Sequence, residues 1–265
     1  MKGIILAGGS ATRLYPLTAT TSKQLLPVYD KQMIFYPLNT LIRAGIEEIL
    51  VIVAPEHSGQ FLNLLGSLFK NYGIRLVFEV QKVPKGLPEA FVLGEKFLDE
   101  DDVTLILGDN IFEDDFSQDI RNFKRGGMVF ATKVTDPERF GVVKFSEDGK
   151  AEKIIEKPQE WISDYAITGL YVYDNRVVNA AKNLKPSERG EIEIVDLHNF
   201  YLNQGELEVK KFEGAWLDAG TFDSLLMAGT VVKKKKIYQN FDPIIEQSIQ
   251  EFNEELKLLS KKLLK

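Results

Sequence analysis

Four short runs of apolar residues mark the first part of the chain, at positions 3–6, 49–53, 76–80 and 103–107. Uninterrupted apolar runs of this length suit parallel strands covered on both faces. Helical patterns fill the intervals at 34–44, 59–71 and 88–97. This alternation predicts a doubly wound α/β sheet. After Asp109 the rhythm changes. Runs at 128–134, 141–145, 151–155 and 169–173 follow one another through short connections, with Ser146-Glu147-Asp148-Gly149 as a hairpin signal. They predict an antiparallel addition to a mixed sheet. Two further helical stretches, 175–181 and 192–203, come next.

The last part of the chain has a different pattern. Asp242-Pro243 is a helix start, with Asp as N-cap and Pro at the first helical position. Ile245, Ile249, Phe252, Leu256, Leu259 and Leu263 then alternate spacings of four and three, a heptad-like seam. The seam suits either a C-terminal helix docked on its own domain or a contact between subunits. Lys233-Lys234-Lys235-Lys236 before it reads as a solvated segment. No long linker or internal repeat divides the chain, so we expect one domain over 1–232 and a helical tail over 233–265.

Composition narrows the function. With 265 residues, 44% of them hydrophobic, the chain can bury a full core. It has no cysteine, which excludes disulfides, thiolate metal sites and a cysteine nucleophile. The apolar run at the N-terminus ends at Gly8-Gly9, too short for a signal or membrane segment, so the expectation is a soluble cytoplasmic protein. A net charge of −6 argues against general nucleic-acid binding. Cations for a polyphosphate ligand would have to be gathered locally.

Such a gathering follows the first strand, in Leu6-Ala7-Gly8-Gly9-Ser10-Ala11-Thr12-Arg13 and then Ser22-Lys23-Gln24-Leu25-Leu26-Pro27. A glycine pair directly after a buried strand lets backbone amides approach an anion, although alone it equally suits a tight turn. Arg13 and Lys23 add two cations beside it. The loop lacks the Gly-Lys-Ser/Thr end of a Walker A motif and the third glycine of a dinucleotide fingerprint.

The loop together with Arg13, Pro16, Lys23 and Pro27 resembles the sugar-phosphate nucleotidyltransferases. The continuation Val28-Tyr29-Asp30-Lys31-Gln32-Met33-Ile34-Phe35-Tyr36-Pro37-Leu38 is most similar to the branch that transfers a thymidylyl group to glucose 1-phosphate. The likeness runs from Lys2 to about Gly229 and then fades. It implies a Rossmann-like mixed, mainly parallel sheet, a Mg²⁺-dependent reaction of dTTP with glucose 1-phosphate, and a homodimer or homotetramer. It also implies roles for residues. Leu6, Gly8, Gly9, Ser10, Ala11, Thr12 and Arg13 would hold the nucleotide, with Lys23 as a second catalytic cation. Gln81 and Gly86 would read the pyrimidine, the amide pairing with donor and acceptor on the base edge. Asp109 and Asp218 would be catalytic carboxylates and the metal ligands, with Asp109 also at the nucleotide. Gly141, Glu156, Lys157, Thr168, Tyr171, Arg189 and Glu191 would bind the sugar phosphate. His57 and His198 are given no chemistry.

Three departures stand out. Ala11 replaces a loop glycine, and the loop is expected to hold it at negative φ. Phe140 stands where that branch has Tyr. The chain beyond Gly229 diverges. Thymine and uracil differ by one methyl, so a uridylyltransferase or a relaxed pyrimidine transferase is the alternative, since one methyl discriminates only about tenfold to a hundredfold. A non-catalytic nucleotide-binding subunit should have lost a loop cation or a metal carboxylate, and here all are present.

Overall fold

The computed structural model describes residues 1–9 and 12–263, with side chains up to residue 258. Strand β1 (Lys2–Ala7) is the centre of the main sheet. A small hairpin follows it, β2 (Pro27–Val28) against β3 (Lys31–Gln32). Helix α1 (Phe35–Arg43) leads to β4 (Glu48–Val53), and α2 (Ser58–Leu65) to β5 (Arg75–Val80). Helices α3 (Glu89–Leu93) and α4 (Glu95–Leu98) then precede β6 (Val103–Leu107). These strands pair in parallel in the order β5-β4-β1-β6, with Ile5 level with Val51 on one side and Ile106 on the other. The chain turns one way from β1 to β4 and the other way to β6. This switch point opens a crevice beyond the carboxyl ends of β1 and β6.

The second half adds β7 (Asn110–Phe112), α5 (Ser117–Asn122), β8 (Gly127–Lys133), β9 (Gly141–Phe145), β10 (Ala151–Glu156) and β11 (Tyr165–Tyr173). The hairpin signal at 146–149 joins β9 to β10, which pair antiparallel. Strand β11 lies antiparallel to β6 and extends the sheet toward β9 and β8. Helices α6 (Val177–Asn183) and α7 (Ile194–Asn203) cover this half. Strand β12 (Leu207–Lys211) then pairs parallel to β8, and β13 (Trp216–Asp218) pairs antiparallel to β7. The chain ends with α8 (Phe222–Lys235) and α9 (Pro243–Leu263).

The sheet separates two cores, which explains the apolar runs. Ile5, Val51, Ile106 and Leu170 face one core with residues of α1, α8 and α9. Ile4, Leu50, Leu105 and Tyr171 face the other with residues of α3, α6 and α7. Successive strand residues are thus buried on opposite faces and both must be apolar.

Several expectations are modified. The predicted helix at 88–97 is two short helices meeting at Gly94, which lies against Ile4 and Leu50. The one at 59–71 is regular only through Leu65. Strands β7, β12 and β13 and helix α8 were not foreseen. The expected domain boundary at 232/233 falls inside α8, so three of the four consecutive lysines lie in its last turn and Lys235 pairs with Glu113 at 2.9 Å. The near half of α9 docks on the body, with Ile245 and Ser248 fully buried. Among the described residues, no helix is long and apolar enough to cross a membrane.

Candidate active site

Strand ends assemble the site. The loop after β1 passes Gln81, the residue following β5, so closely that a Cβ on Gly8 would lie 2.6 Å from the Gln81 side-chain oxygen. Gly9 has φ of +100°, a conformation open to glycine. Gln81 is buried, and its Nε2 donates to Glu89 at 2.8 Å. Ser10 and Ala11 lie outside the described residues, and with them the expectation for the φ of Ala11.

Beyond β6, Asp109 is buried and receives the ammonium of Lys23 on one carboxylate oxygen. Burial alone would push the Asp109 carboxyl up, but the charge and hydrogen bond of Lys23 outweigh it and hold it below the usual range. Asp218 arrives from the far end of the chain. The β7–β13 ladder sets Asp218 level with Asn110, and the Ala219 amide donates to the Asp109 carbonyl at 3.2 Å. Burial, and then the charge of Asp109, push the Asp218 carboxyl up to about 6, against the pull of Lys23, Arg13 and Arg139. Arg13 lies against Gly220, where an added Cβ would meet its guanidinium nitrogen at 3.1 Å.

A cleft of about 310 Å³ opens beside the two aspartates and includes Arg13, Gly141, Glu156, Lys157, Thr168 and Tyr171 in its wall. Glu156 ends β10, and burial, followed by the charge of Glu193, raises its carboxyl above the usual value. Lys157 adopts φ of +44°, a strained geometry of the kind held at ligand sites, and its amide donates to the Phe140 carbonyl at 2.9 Å. The β11–β8 register shifts between Ile167 and Tyr171. The irregularity places Thr168 and Gly169 at the cleft, as bulges do beside active sites. The Thr168 hydroxyl donates to the Phe130 carbonyl at 3.0 Å, so its role in the structure is to anchor the bulge.

Two expected sugar-phosphate residues are placed differently. Arg189 is held by both oxygens of Glu193 at 2.9 Å and stands 3.7 Å from Glu156. The Glu191 side chain is 63% exposed and stands 3.9 Å from Arg189. The Arg189 segment is nevertheless tied to the segment that carries Gln81. Gly86 bridges Ile192 in parallel, and the Ile192 amide donates to the Lys85 carbonyl at 2.8 Å.

The structure also brings in residues that the sequence reading passed over. Arg139 lines the cleft and acts on Asp218. Trp216 stacks obliquely on Phe140 with ring centroids 5.0 Å apart, and its indole donates to Asn110 at 2.6 Å. Asn110 directly follows Asp109 in the sequence and Trp216 lies two residues before Asp218, so proximity was the available signal. His198 also lines the cleft but is fully buried; burial lowers it to about 3, so it stays neutral. Among the described residues, no group of three or more His, Cys, Asp or Glu side chains is gathered for a metal. One buried and one half-buried carboxylate suit Mg²⁺, an oxygen-seeking ion that takes its remaining ligands from phosphate and water. The raised Asp218 carboxyl marks a place short of positive charge, which such an ion would supply.

A switch-point crevice carrying cations, paired carboxylates and an adjoining polar cleft is the layout of a nucleotide-handling transferase. The chain belongs to the Nucleotidyl transferase family, whose sequence pattern matches residues 2–235. Glucose-1-phosphate thymidylyltransferase of Neisseria meningitidis is 53% identical over 246 residues, covering 91% of this chain and 85% of that protein. The protein of the same name from Mycolicibacterium smegmatis is 49% identical, covering 90% and 84%. A crystal structure of a Bacillus anthracis protein in complex with a sucrose superposes with TM-score 0.82 at 43% identity. That match covers 88% of this chain and 95% of that one. UDP-glucose pyrophosphorylase in complex with UDP-glucose shares the fold, with TM-score 0.76 at 22% identity over 88% of this chain and 98% of that one.

Proposed function

We propose that the protein transfers a thymidylyl group from dTTP to glucose 1-phosphate, giving dTDP-glucose and pyrophosphate. The observation that carries this reading is the meeting of Asp109 and Asp218 between Arg13 and Lys23 on one side and Glu156 and Lys157 on the other. A phosphate oxygen of glucose 1-phosphate attacks the α-phosphorus of dTTP. The new P–O bond forms as the bond to the β-phosphate bridging oxygen breaks, and pyrophosphate departs with that electron pair.

The attacking oxygen is already ionised at neutral pH, so no general base is required. The work of the protein is alignment and neutralisation of charge. Arg13 and Lys23 face the triphosphate, and Lys157 the acceptor phosphate. Glu156 accepts hydrogen bonds from sugar hydroxyls, and Gln81 pairs with the pyrimidine edge. Asp109 and Asp218 would hold Mg²⁺, which when bound supplies positive charge to the phosphate oxygens. Arg189 reaches the acceptor phosphate by leaving Glu193.

Pyrophosphate release with Mg²⁺ and glucose 1-phosphate, run separately with dTTP, UTP, ATP and GTP, tests the proposal. Release with dTTP well above the others is expected. Equal turnover of UTP would replace it with a relaxed pyrimidine transferase, which the Gln81 amide would also serve. No release with any of the four would refute it.

A further inference from the structure

We propose that Asn110 is a positioning residue that fixes the orientation of the Asp109 carboxylate toward Asp218; this rests on the metal role given to the two aspartates above. The Asn110 side chain is almost fully buried, at 2% exposure, and each of its polar atoms is engaged. Its Oδ1 accepts from the Gly169 amide at 3.0 Å and from the Trp216 indole at 2.6 Å. Its Nδ2 donates to Asp109 Oδ1 at 3.2 Å.

The amide cannot be turned over. A flip would set its NH₂ against the two N–H donors of Gly169 and Trp216, so the donor must face Asp109. Lys23 takes the other oxygen, Oδ2. Asp109 is therefore held at both oxygens, by a cation from the loop after β1 and by an amide pinned between β11 and β13. Because Asp218 stands level with Asn110 on the β7–β13 ladder, the same side chain that aims one carboxylate lies on the rung that delivers the other. Groups that orient a metal ligand in this way typically alter metal affinity tenfold to a hundredfold when lost.

The variant Asn110→Asp separates this role from packing. It keeps the size of the side chain and the acceptor for Gly169 and Trp216, but it removes the donor and sets a carboxylate against Asp109. Binding of Mn²⁺ followed by electron paramagnetic resonance, with dTTP present and no sugar phosphate, reads the effect without turnover. We expect Mn²⁺ to bind about tenfold to a hundredfold more weakly in a variant whose unfolding temperature shows it folded. The Mg²⁺ requirement of the reaction should rise in parallel, with little change in KM for glucose 1-phosphate. Unchanged or tighter Mn²⁺ binding overturns the proposal. Should N110D fail to fold, Trp216→Phe carries the test, since it removes one of the two donors that pin the amide. Severalfold weaker Mn²⁺ binding is expected, and unchanged binding overturns the proposal. Wild-type protein that holds no Mn²⁺ would refute the metal role of the aspartates instead. A crystal structure of N110D then decides the positioning claim, and an Asp109 carboxylate unmoved relative to Asp218 overturns it.

Discussion

Asp218 shows how this site sets function against stability. Its carboxyl is raised from an ordinary 3.8 to about 6, first by burial and then by the charge of Asp109. The folded chain therefore binds that proton more tightly than the unfolded chain does. The stability this contributes is fully present below about 3.8 and is lost as pH rises through about 6. At pH 7.5 the ionised side chain burdens the fold. Asp218→Asn should then raise stability at pH 7.5 by on the order of 1–3 kcal/mol, and the gain should vanish near pH 4. Urea unfolding at the two pH values measures it; an unchanged or lowered stability at pH 7.5 would contradict the assigned pKa. The same variant should lose at least about a hundredfold in pyrophosphate release, since a neutral amide is a poor ligand for a hard cation. The two residues that matter most here were legible to different degrees. Asp109 follows a readable strand, whereas Asp218 was named by the family resemblance alone, since no local pattern announces its pairing with residues about a hundred positions away.

Between elements, the Gly86–Ile192 bridge joins the segment that carries Gln81 to the one that carries Arg189. Gly86 has φ of +124°, and a Cβ there would fall 2.0 Å from the Ile192 carbonyl oxygen. Backbone cannot yield as a flexible side chain would, so Gly86→Ala must push the two segments apart. The expected result is a rise in KM for both dTTP and glucose 1-phosphate, with kcat/KM down by more than about tenfold, a loss of roughly 1.4 kcal/mol in transition-state binding. Gln81→Ala, which removes the proposed base contact, should raise KM for dTTP only. Steady-state kinetics with each substrate varied in turn separates the two. If Gly86→Ala left KM for glucose 1-phosphate unchanged, the bridge would not couple the segments. This bridge was invisible in the sequence, where the family resemblance gave Gly86 only a part in reading the pyrimidine. The parallel strands were readable because burial on both faces demands apolar residues at every position. Strand β12, Leu-Glu-Val-Lys-Lys, escaped notice because an edge strand needs apolar residues only at alternate positions.

At the scale of the molecule, the seam read from the tail proves to be two different surfaces. Phe241 and Ile245 are buried in the core beneath the sheet, and Phe241 meets Tyr36 edge-on at 5.2 Å. The Asn240 carbonyl accepts from Asn39 and Arg43 at 3.3 and 3.2 Å, and the Asp242 amide donates to Asn39 at 2.8 Å. These contacts fasten the start of α9 to α1. Farther along, Leu256 and Leu258 are 48% and 60% exposed, while the side chains of Leu259 and Leu263 lie outside the described residues. The periodicity predicted the helix but could not say where its docking would end, because a heptad pattern is the same whether it meets its own domain or another chain. Two truncations distinguish the halves. Ending the chain after Asn240 removes Phe241 and Ile245 from the core and should cost about 3–6 kcal/mol, read by urea unfolding. Ending it after Asn253 removes only the outer part, and for a monomer the unfolding midpoint should not move. If the outer part instead joins two subunits through its exposed leucines, the shorter truncation should lower both the sedimentation coefficient and the stability, the latter more at low protein concentration. A midpoint and a sedimentation coefficient that both stay put would leave the near half of α9 as the whole of the tail's structural contribution.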